Sequence, residues 1–272
     1  MIVSDSDKAT ETTPPFPPLE VYAGPVHGRD LFLVDLLCKE HGVPVTRRVV
    51  SSLADMRAVL AARNLRELPF LVVDGSEVLA PAEAVAWFLA NLALGRGARA
   101  ETAPASDRSL ATRAVSVARL MELGRLADIC RQANDEAARR ADDVGDEREL
   151  ARVWAELAVW ERYLERQWIA GGRPVAQARW LVEPPVDAKE RAPPAQPDVS
   201  DWALFSIVAW LLCGRARVTL SGLASLPRLA AHAARVAGCE AVAGAWPPKW
   251  VPLDVFRDSV SKESLTRMVT TD

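Results

Sequence analysis

Apolar and polar positions fall into two regimes along the chain, one mixing strands with helices up to about residue 95, the other helical from Asp107 onward. Leu19-Glu20-Val21-Tyr22 alternates as a short strand, and Gly24-Pro25 breaks it. Asp30 to Glu40 is apolar on more than one face (Leu31, Phe32, Leu33, Val34, Leu36, Leu37), the pattern of a helix buried on both sides. Gly42 after His41 suits the left-handed cap that would end it. Val43 to Val50 predicts a second strand, weakened by Arg47 and Arg48. A second helix is expected from Ser52 to about Asn64, capped by Ser51 or Ser52, with Leu53, Met56, Val59 and Leu60 facing inward.

Leu68 to Val73 is the next apolar run, with Pro69 near its start. Proline lacks the ladder donor and is tolerated at a strand's start, and an X-Pro bond is the one peptide that can be cis at small cost. Asp74-Gly75 before Val78-Leu79 marks a tight hairpin, and a helix follows from Pro81 to Leu94. The order over the first 95 residues reads βαβαββα.

After a Gly/Ala/Pro-rich stretch the pattern is all helical. Asp107 to about Asp142 carries Leu110, Ala114, Val117 and Met121 at helical spacing. Asp146 to Ala170 carries Leu150, Val153, Leu157, Trp160, Leu164 and Trp168 on one stripe, so Trp154, Trp160 and Trp168 read as core or interface rather than a ligand box. Arg173 to Pro197 holds six prolines and reads as an extended excursion. Asp198 opens a nearly all-apolar helix to Cys213, with Asp201 three residues on as an acidic form of the capping box. Leu223 to Val236, with Pro227 near its first turn, is the last clear helix. The tail from Gly238 holds a Trp246-Pro-Pro-Lys-Trp250 knot and a polar end. Like the excursion, with its Trp180, Leu181 and Val182, it sets apolar groups among prolines, so both read either as decoration or as partner-binding segments.

Composition narrows the function classes. A net charge of -3 gives no bulk attraction to nucleic acid or to anionic membranes. No apolar segment reaches the ~18 residues of a membrane span. Residues 1–18 look like neither a secretory signal nor a transit peptide, so a soluble cytoplasmic protein with a disordered tail is expected. Cys38, Cys130, Cys213 and Cys239 are widely separated, with no C-x-x-C pair, which predicts buried free thiols and no metal site.

The ordered set of segments resembles the glutathione transferase superfamily. "GRDLFLVDLLCKEHGVPV" (Gly28 to Val45) looks like the family's first helix and the start of its second strand. "LPFLVVDGSEVLAPAEAVAWFLA" (Leu68 to Ala90) looks like its cis-proline strand, hairpin and third helix. "VSDWALFSIVAWL" (Val199 to Leu211) and "SLPRLAAHAARV" (Ser225 to Val236) look like its capped core helix and the helix after it. The resemblance implies a thioredoxin-like α/β domain at 19–95, a linker at 96–106, an all-α bundle at 107–238 with the insert 173–197, and a C-terminal extension at 239–272.

It also implies where a glutathione site would lie. Active relatives place a hydroxyl or thiol after the first strand, backbone beside the cis-proline, and Glu or Gln followed by Ser at the start of the third helix, holding the γ-glutamyl end. Leu68 and Pro69 match the backbone part, but Pro81 and Ala82 stand where the acid or amide and the serine belong. Glu83 is the nearest acid, one position past the usual serine. Tyr22 matches the catalytic tyrosine if the loop Gly24 to Gly28 is lengthened; otherwise it is a strand residue packed under the first helix. His27 or Arg29 would contact an anion near the helix start, or be solvated. The expectation is a catalytically degenerate module without cofactor, docking protein partners as a homodimer or in a larger assembly of the translation-factor or tRNA-synthetase type. The alternative is an active transferase using Tyr22 and glutathione or another thiol.

Overall fold

Residues 16–100, 107–139, 144–170, 197–213, 223 and 225–268 are described in a computed structural model. Tail residues 1–15, segment 101–106, insert positions 173–196 and the side chains of Leu110, Leu150 and Trp168 lie outside the described residues.

Four strands, β1 (Leu19–Ala23), β2 (Thr46–Val49), β3 (Phe70–Val73) and β4 (Glu77–Leu79), form one sheet in the order β2-β1-β3-β4. β1 and β2 run parallel, while β3 is antiparallel to β1 and to β4. The helices α1 (Arg29–Glu40), α2 (Leu53–Ala62) and α3 (Ala82–Ala100) complete the βαβαββα unit. The cis peptide falls at Leu68-Pro69, with a second at Ala80-Pro81. Asp74 and Gly75 both take positive φ, as a tight hairpin of this hand requires. Gly42 ends α1 at φ +60, where a side chain would be strained.

The two faces of the sheet differ. Leu19, Val21 and Ala23 of β1 and Leu71 and Val73 of β3 join the main core with α1 and α3. Phe70 and Val72 are equally buried but point the other way. That second face is only thinly covered, because α2 buries none of its residues. The expected inward stripe of α2 is therefore corrected: Leu53 is 58% exposed, and Met56, Val59 and Leu60 are only half-buried. What holds α2's start is local, the Ser52 hydroxyl accepting from the Asp55 amide at 3.0 Å.

Beyond the sheet lie α4 (Asp107–Arg139), α5 (Val144–Ala170), α6 (Val199–Cys213), α7 (Pro227–Ala237), α8 (Glu240–Ala245) and α9 (Leu253–Met268). α3 runs on to Ala100, so helix occupies the first part of the stretch 96–106. On α4 the buried side chains are Leu120, Leu123, Leu126, Ala127 and Cys130. The stripe read from sequence was the wrong one, since Met121 is 71% exposed. On α5 the expected stripe holds, with Val153, Leu157, Trp160 and Leu164 all buried.

α6 threads the core with Trp202, Phe205, Ile207 and Ala209 fully buried. Its capping box is reciprocal: the Asp198 amide donates to Asp201 Oδ2 at 2.9 Å, and the Ser200 amide donates to Asp198 Oδ1 at 2.8 Å. Asp201 also contacts His232 of α7 at 2.9 Å, both fully buried. α7 has no cap from its own flank; Glu161 of α5 accepts the amides of Arg228 and Leu229 at 3.0 and 2.8 Å instead.

The tail differs most from the reading above. Instead of a knot and a polar end, it forms α8 and α9, and its tryptophans close the core. Trp246 lies 5.1 Å from Phe256, 5.5 Å from Trp250 and 5.6 Å from Phe32 of α1, between ring centroids. Trp246 and Trp250 are half-buried and engaged with these rings.

Candidate functional site

Arg29 opens α1, and its burial sets the character of the site. The side chain is 4% exposed, and two of its nitrogens reach groups on three helices. Nη1 donates to Asp30 Oδ1 at 2.7 Å and to Glu83 Oε1, in the first turn of α3, at 2.5 Å. Nε donates to the Ser206 hydroxyl of α6 at 3.1 Å, and Nη2 is buried with no partner. Burial works against the charge, but the Asp30 and Glu83 carboxylates outweigh it and hold the Arg29 pKa above its ordinary value. Arg131 of α4 extends the network, reaching Asp30 at 3.1 Å, Glu67 at 3.0 Å and Asp128 at 3.3 Å. Glu67 directly precedes Leu68 and the cis-proline, so one chain of ion pairs links α1, the approach to β3, α3 and α4.

Gly124 lets α4 close over this point. A Cβ there would sit 3.0 Å from both Cγ and Cδ of Glu83. Glu83 is therefore held by Arg29 on one side and pressed against the α4 backbone on the other. At the start of α3, the Ala84 and Val85 amides both turn back to the Pro81 carbonyl, at 3.0 and 3.2 Å. Pro81 and Ala82 bring no polar side chain, so Glu83 is the only ionisable group in that turn and it is already paired.

Tyr22 lies on the thin face of the sheet. Its ring stacks on Phe70 at 4.8 Å and 8°, and its hydroxyl donates to Glu20 Oε2 at 3.3 Å. Arg48 of β2 holds the other oxygen of Glu20, at 2.6 Å. The residue packs against β3 rather than under α1, because alternation along β1 turns Val21 and not Tyr22 toward that helix. Leu68 and Pro69 sit immediately before β3, Pro69 buried and Leu68 half-buried. His27 contacts Asp35 of α1 at 3.0 Å, and Asp35 also pairs with Arg47. These three line a cleft of about 600 Å³ walled by Trp246. No bond among the described residues joins that cluster to the Arg29 network.

Burial works against nucleophilic use of the thiols. Burial pushes Cys38, Cys130 and Cys213 up to about 12, Cys130 despite the nearby Arg29. All four cysteines are free, and no metal-holding cluster occurs among the described residues. Sequence reasoning left Arg29 either contacting an anion or solvated and did not foresee its pairing with Glu83, 54 residues away. Nor did it single out Ser206, Arg131 or Gly124. Only Gly124, a glycine inside a strong helical pattern, carried a local signal.

The chain's architecture matches known structures closely enough to name the fold. Yeast Ure2p, solved with S-p-nitrobenzylglutathione, superimposes with a TM-score of 0.65 at 15% identity, over 86% of this chain and 95% of that one. A glutathione transferase homologue from Lodderomyces elongisporus, solved with two glutathiones per subunit, gives 0.60 at 18% identity, over 84% and 97%. A glutathione transferase from Pseudomonas putida, with one glutathione disulfide per subunit, gives 0.59 at 18%, over 85% and 92%. The fold is that of the glutathione transferases. No family sequence model matches the chain, and no curated protein matches it. Within this glutathione-transferase fold the first sheet is the thioredoxin-like half, and α4 onward is the helical half. No helix among the described residues is long and apolar enough to cross a membrane.

Proposed function

We propose that this chain is a catalytically degenerate glutathione-transferase-fold protein that works through protein–protein contacts, as a scaffold or assembly module. The observation that carries this reading is the Arg29–Glu83 pair. The start of the third helix is where the fold would hold the γ-glutamyl end of glutathione, and here its one acid is bonded to the protein's own buried guanidinium. Pro81 and Ala82 offer no replacement. Losing two or three hydrogen bonds to charged groups, at ~1.5–3 kcal/mol each, weakens glutathione by several orders of magnitude. Among the solved neighbours is the nitrogen regulation fragment of yeast Ure2p, which supports a regulatory use of such a fold. An assembly role of the translation-factor or tRNA-synthetase type, as a homodimer or with other proteins, belongs to the same proposal.

A second reading is a transferase using Tyr22 with glutathione or another thiol. It is favoured by the cis-proline at Leu68-Pro69 and by the glutathione-bound neighbours. Against it stands the Tyr22 hydroxyl, turned onto Glu20 across the thin face of the sheet. Conjugation of 1-chloro-2,4-dinitrobenzene with glutathione separates the two. The scaffold reading expects the uncatalysed rate from both the parent and Tyr22→Phe. Saturable turnover lost in Tyr22→Phe would establish the transferase instead.

A further inference from the structure

β2 is an edge of the sheet, and among the described residues it pairs only with β1. All four of its residues are exposed. Successive residues of a strand turn their N–H and C=O groups to opposite sides, so every second residue of an edge faces away from its neighbour. The Val50 amide donates to the Ala23 carbonyl at 2.8 Å, which sets the phase. Thr46 and Arg48 turn their backbone toward β1, and Arg47 and Val49 turn theirs outward. No backbone bond among the described residues reaches the Arg47 or Val49 amide on that outer side.

The charges that would guard such an edge are drawn inward. Arg47 pairs with Asp35 of α1, and Arg48 pairs with Glu20 of β1 at 2.6 Å, so each guanidinium is neutralised over the sheet rather than projecting past it. Beside the edge, on the α1 side, lies the cleft of about 600 Å³. Pro44, Val45 and Trp246 give it apolar walls, and its one acid, Asp35, is held by His27 at 3.0 Å as well as by Arg47. Lys39 lines the cleft and has no ion-pair partner among the described residues. Its stem lies along Gly244 of α8, where a Cβ would sit 3.4 Å from Lys39 Cδ. An open edge with outward donors and acceptors, beside an apolar cleft carrying one unneutralised cation, is complementary to an extended acidic segment. Ladder bonds supply the affinity, and the cleft selects alternate side chains.

We propose that the β2 edge takes an extended acidic segment of a partner protein as a fifth strand of the sheet. On the α1 side of the added strand, alternate positions are apolar, acidic and apolar. The apolar side chains lie beside Val45 and Val49, the latter 56% exposed, and the carboxylate between them meets Lys39 in the cleft. A second copy of this chain is a poor occupant, because β2 carries no acid to meet Lys39. The proposal rests on the assembly reading and deepens it. Glutathione turnover tests that reading and peptide binding tests this edge, so failure of one is visible apart from failure of the other.

The probe is a fluorescein-labelled peptide of about eight residues, with valine, glutamate and valine at alternate central positions and threonine between them, followed by fluorescence polarisation on the full chain. One control carries lysine for glutamate. Two others are N-methylated on alternate amides, in one phase or the other, which keeps the side chains and removes half of the ladder donors. Saturable binding of the acidic peptide and not of the lysine peptide is expected. Methylation in one phase should abolish binding and in the other largely leave it, because only every second amide faces β2. Lys39→Glu should weaken the acidic peptide about tenfold and admit the lysine peptide, while Val49→Asn should weaken it without admitting the lysine peptide. Both positions are exposed, and far-ultraviolet circular dichroism of each variant verifies the fold. No binding of the acidic peptide, equal effects of the two methylation phases, or indifference to Lys39→Glu overturns the proposal. Sedimentation of the parent provides the remaining check. A dimer that Val49→Asn disperses would place a second copy on the edge, which also overturns it.

Discussion

Replacing Glu83 by Gln should destabilise this protein more than replacing both Glu83 and Arg29 together. In the parent, Arg29 is buried with Asp30 at 2.7 Å, Glu83 at 2.5 Å and Ser206 at 3.1 Å. Glu83→Gln leaves a buried guanidinium with one carboxylate where it had two. Removing one partner of a buried pair typically costs ~3–5 kcal/mol. Asp30 still supports the charge and Glu83 is 17% exposed, so we expect about 2–3 kcal/mol, below that range. Arg29→Met with Glu83→Gln removes the buried charge and its partner together and leaves an apolar stem of similar length against the core. The pair should recover about half of the loss, so the coupling is roughly 1–1.5 kcal/mol plus whatever Arg29→Met costs alone, where independent sites add within ~0.5 kcal/mol. Urea unfolding at neutral pH, with the slope unchanged between variants, reads the difference from the midpoints. Strictly additive single and double variants would show that the Arg29–Glu83 contact is not an energetic unit, and the closed-site reasoning would fail with it.

Other consequences are simpler to read. Gly124→Ala would gain about 1 kcal/mol from helix propensity alone, but its Cβ meets Glu83 at 3.0 Å, so the expected net effect in urea is a loss of about 1 kcal/mol; a gain would mean that Glu83 moves aside freely. Phe256→Ala, deleting a buried ring 5.1 Å from Trp246 and 6.1 Å from Phe205, should cost about 3–5 kcal/mol; an effect below ~1 kcal/mol would mean that α9 is not part of the core. Cys38 and Cys130, with thiols near 12, should alkylate with iodoacetamide at pH 8 roughly a thousandfold more slowly than a free cysteine, whatever the further slowing from burial. The sign of the linked pH effect follows. Those thiols are raised in the folded state, so their contribution to stability is complete below about pH 8.5 and is lost as pH climbs toward 12. A urea midpoint for Cys38→Ala that falls between pH 8 and 11 as steeply as the parent's would contradict that assignment for Cys38.

The fold was legible because its strongest signals are local. The Asp74-Gly75 turn, the buried α1 run, the Asp198/Asp201 capping box and the proline before β3 each act within a few residues, and their order along the chain identifies the architecture. Stripes were harder. On α4 the choice between Met121 and Leu123 as a core position depends on where neighbouring helices lie, and sequence spacing alone favoured the wrong face. The C-terminal helix was missed although Leu253, Phe256 and Val260 fall at i, i+3 and i+7, because polar residues between them mask the stripe. The site was legible only in part. Pro81 and Ala82 could be read as missing anchors, whereas the closure of Glu83 by Arg29, Ser206 and Gly124 needs residues brought together from four helices.

The claim that the glutathione position is closed by the protein's own ion pair is tested most directly by titrating the full chain with glutathione in a calorimeter at neutral pH. Closure predicts no saturable heat, or an affinity weaker than about 1 mM, since each 1.4 kcal/mol of lost anchoring is tenfold. A micromolar dissociation constant for the unmodified chain would contradict it.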